Sequence, residues 1–329
     1  MKLLPVLLIG ILIPLTACRD KYNVNDDIIA TTPASLLKER GEDQDNGTKV
    51  SVLKMPATCL VYDKADSIKI EKLLADFFST RQQDTASKEK SNAMIWFARQ
   101  LIGIPYVAQT LEKNKTEKLV VNTRELDCTT YTETVLALSQ CAMNNALSFE
   151  DYCNRLQQIR YRGGNISYVD RLHYFTDWII DNQDSGMVEE IQSPAPPFSS
   201  PTPIKVYYMS TYSDKYPMLK DHPEWVEKIA EAEKRLSRLS FRYIPKSAIR
   251  NTQVMRNAIH DGDILAITTS KKGLDTSHIG IAVWHDDGLH LLNASQIHMK
   301  VVEEPMTLAQ YMQKHPTQTG IRVIRPLFR

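Results

Sequence analysis

Behind Asp127, the residues Cys128, Tyr131, Val135, Leu138 and Ala142 recur at steps of three and four, the spacing of one helix face. Asp127 is a good N-cap, because its side-chain oxygen accepts an orphan N–H of the first turn. The same reading along the chain predicts helices from Asp66, over Ser91–Leu101 with Gly103 as its stop, over most of Phe149–Ile180 with a break at Arg162-Gly163-Gly164-Asn165, and over Pro223–Leu239. Short strands are predicted at Cys59–Tyr62, Leu119–Asn122 and Lys205–Met209. Ser193–Pro203 holds five prolines, which excludes regular helix and central strand.

The last third changes character. Asp261-Gly262-Asp263 reads as a turn, Ile264–Thr268 as a strand, and Ile279–Trp284 as a near-continuous apolar strand. Asp286-Asp287-Gly288 reads as a hairpin turn, after which Leu289–Ser295 returns and His298–Val302 follows. Helices first and antiparallel strands after predict an α+β fold.

The N-terminus stands apart from this pattern. Lys2 precedes an apolar run, Leu3–Leu15, that is too short to be a stable membrane span. It ends in Leu15-Thr16-Ala17-Cys18, which resembles a bacterial lipobox. That resemblance implies cleavage before Cys18 and lipidation of its sulfur. The expected organisation is therefore a signal peptide over 1–17, a lipidated Cys18 with a polar tether over 18–60, and a catalytic domain over 61–329, with a helical, proline-rich insertion at about 142–245. The expected location is the bacterial cell envelope, with the domain facing the periplasm and held to the membrane by its lipid.

Net charge is +1, so no polyanionic partner such as nucleic acid is indicated, and a monomer is expected. Export alters the cysteine arithmetic. With Cys18 lipidated, Cys59, Cys128, Cys141 and Cys153 remain, and Cys141 with Cys153 is the local candidate for a bridge.

A thiol at a helix start has two readings. The dipole and free N–H groups favour its charged, nucleophilic form. Equally, free cysteine is a small apolar residue common in cores. A nucleophile needs a base, and the base needs an orienting group. Of the eight histidines, His278 stands where the flexible loop Lys271–Asp275 enters the buried strand. Asn293 lies on the returning strand, where two antiparallel strands can bring it beside His278 and an amide can fix the imidazole tautomer. The plainer readings are a loop histidine and a solvent-facing asparagine. There is no H-E-x-x-H and no other cluster with ligand spacing, so no metal and no cofactor are expected.

Asp127-Cys128 at a helix start, Gly262-Asp263-Ile264-Leu265 before a strand, and His278-Ile279-Gly280-Ile281 resemble the NlpC-like, papain-fold cell-wall cysteine hydrolases. Gly103-Ile104-Pro105-Tyr106 with Leu111-Glu112, Asp127-Cys128-Thr129-Thr130 with Glu133, Arg162-Gly163-Gly164, and Asn293-Ala294-Ser295 resemble its AmiA-like branch, the N-acetylmuramoyl-L-alanine amidases. The similarity spans roughly residues 65 to 329.

The resemblance implies a papain-like fold, with the catalytic cysteine at a helix N-terminus packed on an antiparallel sheet. It implies Cys128 as nucleophile, His278 as base and Asn293 as orienting residue. The implied substrate is a muropeptide or peptidoglycan fragment, cut between N-acetylmuramic acid and L-alanine. Tyr106 is implied to line the cleft. Asp127 is either a substrate contact or only a cap, and Arg162 either meets a substrate carboxylate or is a surface residue beside two glycines. Thr129-Thr130 stands where the commoner signature has Ser-Gly, which favours the amidase branch over a γ-D-glutamyl endopeptidase. A muropeptide-binding lipoprotein without catalysis is the third alternative.

Overall fold

The computed structural model describes residues 59–83 and 92–328. All of them belong to one compact unit, Val50–Arg329. The expected signal segment, Cys18 and nearly all of the tether lie outside the described residues. Among the described residues no helix is long and apolar enough to cross a membrane.

The N-terminal half is helical. β1 (Leu60–Val61) pairs in parallel with β2 (Leu119–Val120). Around them lie α1 (Lys64–Gln83), α2 (Ala93–Gln100), α3 (Cys128–Met143), α4 (Phe149–Arg160) and α5 (Phe175–Asp184). Each start follows local chemistry. Asn92 caps α2 by accepting from the Ile95 N–H, and Ser148 caps α4 in a reciprocal capping box with Asp151. The apolar stripe predicted for α3 understates its burial. From Thr130 to Ala142 every residue is buried, because α3 is the central helix and α1, α2 and α4 all pack on it. Polar residues on its outer side are therefore interior ones, and Glu133 forms a buried ion pair with Arg160 of α4 at 2.7 Å.

The remaining helices and strands follow in chain order: β3 (Val188–Ile191), β4 (Thr202–Pro203), α6 (Tyr208–Thr211), α7 (Pro217–Asp221), α8 (Trp225–Leu236), β5 (Ser240–Phe241), β6 (Ile244–Pro245), α9 (Gln253–Ala258), β7 (Ile264–Thr269), β8 (Thr276–Trp284), β9 (Leu289–Ser295), β10 (Lys300–Glu303), α10 (Leu308–Gln313) and β11 (Gln318–Pro326). The main sheet runs β10-β9-β8-β7-β11-β3, with β6 also paired to β11. Every pairing in it is antiparallel. The mixed α+β class is as expected.

Both faces of the sheet are covered, which explains the near-continuous apolar runs of β7 and β8. Ile264, Ala266, Ile279, Ile281 and Val283 face the core shared with the five helices. Leu265, Ile267, Ala282, Leu289 and Leu291 face a second core closed by Met255 of α9 and by Leu308, Tyr311 and Met312 of α10.

Two expectations need correction. Lys205–Met209 is not a strand: Val206 makes one isolated bridge to Gly273, and the chain turns into α6. The Met209 and Ser210 N–H groups are taken by the buried carboxylate of Glu233, which a ladder would not allow. The proposed Cys141–Cys153 bridge is absent. Both thiols are free and buried, on α3 and α4 respectively.

Candidate active site

The site is assembled at one end of the main sheet, where β8 begins, β9 ends and α3 presents its N-terminus. Asp127 has extended backbone, and its Oδ1 accepts both the N–H and the hydroxyl of Thr130 at 2.8 Å. In return Thr130 Oγ1 accepts from the Asp127 N–H at 2.9 Å. This closed box fixes Cys128 as the first helical residue. It also commits the Asp127 carboxylate to the cap.

The half-buried Cys128 sulfur lies near the backbone N–H of Ile279, the residue after His278, and near the N–H and hydroxyl of Thr129, whose dipoles favour its anion. α3 and β8 thus meet at this sulfur. The thiol is nonetheless not primed as a free thiolate. Burial, with the Asp127 carboxylate second, pushes its pKa up to about 12 against the Ile279 and Thr129 donors, which favour the anion. The expectation that the helix start alone would favour the charged form is therefore corrected. Desolvation outweighs the dipole, and the thiol holds its proton.

His278 is the second candidate residue. Its Nε2 lies 3.0 Å from Asn293 Oδ1. The Asn293 amide is fixed in this orientation because its Nδ2 donates to the Leu291 carbonyl at 3.3 Å. Oδ1 can only accept, so Nε2 carries the hydrogen and Nδ1 is the basic nitrogen. The register explains the contact. Ile281 stands opposite Leu292, so continuing the ladder sets Gly280 opposite Asn293 and leaves His278 on the diagonal. A Cβ at Gly280 would come within 2.8 Å of the Leu291 side chain and of the Leu292 carbonyl oxygen, so only glycine leaves this crossing open. Asn293 is fully buried, not solvent-facing.

Burial lowers the basicity of His278 below the ordinary 6.5, while the Asn293 hydrogen bond and the Asp127 charge oppose this and the nearby His315 adds to it. His278 therefore stays neutral, and able to accept a proton, to more acid pH than an ordinary imidazole. The acid limb of kcat/KM is expected to have its midpoint below 6.5. Removing the Asn293 amide should move it lower still, and His315→Gln should move it higher. A pH–rate profile of the three proteins checks all three directions.

Tyr106 lies on a strap laced between the sheet and the head of α3. Its N–H donates to Met299 at 3.0 Å, and the next N–H, from Val107, donates to Leu126 at 3.1 Å. Burial, then the Cys128 and Asp127 charges, hold its phenol well above the usual range, so it keeps its proton and can donate. Arg162 is placed differently. Both arms of its guanidinium bind the Asp177 carboxylate of α5, and it makes no hydrogen bond to the Cys128 group. Among the described residues no cluster of three or more His, Cys, Asp or Glu is placed to hold a metal ion.

Several neighbours escaped the sequence. His315 lies just past the end of α10, four residues after Tyr311, with its Nδ1 2.7 Å from the Tyr311 carbonyl. Tyr311 is itself within electrostatic reach of Cys128. Nothing in their local sequence signals this, because the fold alone brings α10 over β9. His290 on β9 is buried between the Glu304 carbonyl at 2.8 Å and Asp287 at 2.9 Å.

The structure thus brings a half-buried thiol at a helix head next to the residue that follows His278, and pairs His278 with the buried Asn293 amide. Comparison with known proteins assigns the chain to a family. The model of the AmiA-like, N-acetylmuramoyl-L-alanine amidase-like family matches residues 96–321, and the chain belongs to that family. A crystal structure of an N-acetylmuramoyl-L-alanine amidase from Bacteroides uniformis is 37% identical, with 71% of this chain and 97% of that one covered and a TM-score of 0.66. A Bacteroides fragilis protein carrying a provisional xylanase name is 38% identical over 70% of this chain and 99% of its own, with a TM-score of 0.65. A Legionella pneumophila protein, 22% identical over 80% of this chain and 95% of its own, shares the fold at a TM-score of 0.60. No curated protein matches the chain.

Proposed function

We propose that this protein hydrolyses the amide bond between N-acetylmuramic acid and L-alanine in muropeptides, with Cys128 as nucleophile. The observation that carries the proposal is the meeting of the Cys128 sulfur, the Ile279 N–H and the His278–Asn293 pair at the head of α3. Nδ1 of His278 takes the thiol proton as sulfur attacks the lactyl carbonyl. The tetrahedral oxyanion is met by the Cys128 N–H, which no helical bond uses, and by the protonated Tyr106 hydroxyl. The imidazolium then protonates the departing amine of L-alanine, leaving a lactyl thioester on Cys128. Water, deprotonated by the same imidazole, attacks the thioester and frees the acid. Asn293 holds the ring through both halves. Family membership supports the amidase direction, and the named amidase from Bacteroides uniformis supports the bond. A glycosidase needs two carboxylic groups flanking the bond. The xylanase-named relative does not outweigh a site built on thiol, imidazole and amide.

Mass spectrometry of a defined muropeptide after incubation with the protein tests this. The expected products are the intact stem peptide with a free L-alanine amine and the sugar with a free lactyl acid. A cut inside the stem would favour an endopeptidase instead, and activity should persist in EDTA. We also propose that Cys18 is lipidated and tethers the domain to a membrane of the cell envelope, on the strength of Leu15-Thr16-Ala17-Cys18. Cys18→Ser should move the protein from the membrane fraction to the soluble fraction or leave it unprocessed, and unchanged partitioning counts against the anchor.

A further inference from the structure

The strap that carries Tyr106 hangs on the loop between β9 and β10, residues 296–299. We infer that His298 is a positioning residue for Tyr106: its ring buttons this loop to the buried Glu304 carboxylate and so fixes the carbonyl that receives the Tyr106 N–H; this rests on the reading that the Tyr106 hydroxyl meets the oxyanion, and deepens it.

The strap is an added edge of the main sheet. The Gly103 N–H donates to the Val301 carbonyl at 2.9 Å, the Val301 N–H to the Ile104 carbonyl at 2.8 Å, and the Tyr106 N–H to the Met299 carbonyl at 3.0 Å. On its other side the Leu126 N–H donates to the Pro105 carbonyl at 3.0 Å, and Tyr106 is bridged to Leu126, two residues before Cys128. The phenol is within electrostatic reach of both Cys128 and Asp127. Met299 is therefore the point at which the sheet sets the place of Tyr106 relative to the sulfur.

Met299 does not hold that place by itself. Its φ is +53°, a left-handed conformation that is costly for a residue with a side chain. Apolar burial offsets none of this, because residues 296–300 are all exposed. Two bonds from the preceding residue hold the turn. The His298 N–H donates to Ser295 Oγ at 3.2 Å, where β9 ends, and its Nε2 lies 3.1 Å from Glu304 Oε2, where the ring N–H donates to the carboxylate. Of the side chains from 296 to 300, only that of His298 hydrogen-bonds to a described residue. Glu304 is a fixed post. Its side chain is fully buried, its N–H donates to the Leu291 carbonyl at 2.9 Å, and its own carbonyl accepts from His290 Nδ1 at 2.8 Å. The second carboxylate oxygen has only the Met306 N–H, at 3.5 Å. Without the His298 ring, a buried carboxylate is left short of partners and is drawn toward water, and the loop loses its one side-chain anchor.

Two measurements test the clamp. The first is a kinetic cycle on a muramoyl-peptide. Tyr106→Phe removes one oxyanion donor and should lower kcat by about 10²-fold. His298→Ala should lower kcat by about tenfold and leave KM within about twofold, because it displaces a group that acts in the transition state. The double variant should be no slower than Tyr106→Phe alone, since a donor that is gone cannot be misplaced. His298→Gln, whose amide N–H can reach Glu304, should recover most of the loss. Should His298→Ala melt below the assay temperature, His298→Asn, whose shorter amide falls short of the carboxylate, gives the same reading. An unchanged kcat without the ring, or losses that multiply in the double variant, overturns the inference. The second measurement is fluorine NMR of the full chain labelled with 3-fluorotyrosine, the Tyr106 signal being the one that vanishes in Tyr106→Phe. His298→Ala should shift or broaden that signal and His298→Gln should restore it, while a signal indifferent to His298 overturns the clamp. No hydrolysis is involved, so the two failures are distinct. If Tyr106→Phe is fully active, the oxyanion reading fails, and a displaced Tyr106 signal in His298→Ala still supports the clamp.

Discussion

Cys128→Ala and His278→Ala are each expected to lower kcat on a muramoyl-peptide by about 10⁴-fold or more, and the double variant by little beyond either one. Groups that act as one catalytic unit are not additive, because removing the base leaves a thiol that cannot be deprotonated and removing the thiol leaves a base with nothing to do. The unusually high thiol pKa sharpens the expectation. A thiol near 12 keeps almost no thiolate at neutral pH, so no background nucleophile survives the loss of His278. Asn293→Ala should behave otherwise. The imidazole remains but is free to change tautomer, and a loss on the order of 10²-fold is expected. Asn293 is also fully buried and bonded to both Leu291 and His278, so this variant should lose stability as well, whereas Cys128→Ala should melt close to the parent. Steady-state kinetics with melting curves alongside read both quantities. A fully active Cys128→Ala protein would falsify the nucleophile assignment.

Glu133→Ala is expected to be the most destabilising single change near the site. Glu133 and Arg160 are each about 3% exposed and paired at 2.7 Å, and Arg160 Nη1 also donates to the Val120 carbonyl at 2.7 Å. The pair thereby ties α3 and α4 to β2, less than two turns from Cys128. Its two ends differ. The guanidinium cannot shed its charge, whereas burial already pushes the Glu133 carboxyl above its usual range. Removing Glu133 strands a buried cation, at a cost of about 3–5 kcal/mol and a fall in Tm on the order of 10 °C. Arg160→Met should cost less, since the carboxyl can take a proton, and its loss should grow as pH rises and that proton is given up. Replacing both by apolar residues of similar volume should recover much of the stability. Urea unfolding at two pH values checks the order, and equal losses for the two single variants would refute this asymmetry.

How far the sequence led depends on which forces are local. The start of α3 was legible because a cap is a bond between residues three apart, Asp127 and Thr130, and both are visible in the string. The hairpin around Asp286–Gly288 was legible because two apolar runs and a turn leave few ways to pair, and that pairing alone brought Asn293 within reach of His278. The strand at Lys205–Met209 was misread because non-local acceptors claim its N–H groups: the Gly273 carbonyl takes those of Tyr207 and Tyr208, and Glu233 on α8 takes that of Met209.

The sequence by itself therefore determined the α+β order, the helix that begins at Cys128 and the three residue types of the candidate site. Only the tertiary structure decided the protonation state of that site. The thiol is neutral because packing α3 against β8 removes water from the sulfur while Asp127 stays beside it, and desolvation is a property of the folded surroundings that no stretch of sequence carries. The tertiary structure likewise brought β11, α10 and His315 to the sheet, and it made Glu133 and Arg160 a buried pair. Those contacts join segments far apart in the chain, and their partners are chosen by the shape of the core and the register of the strands.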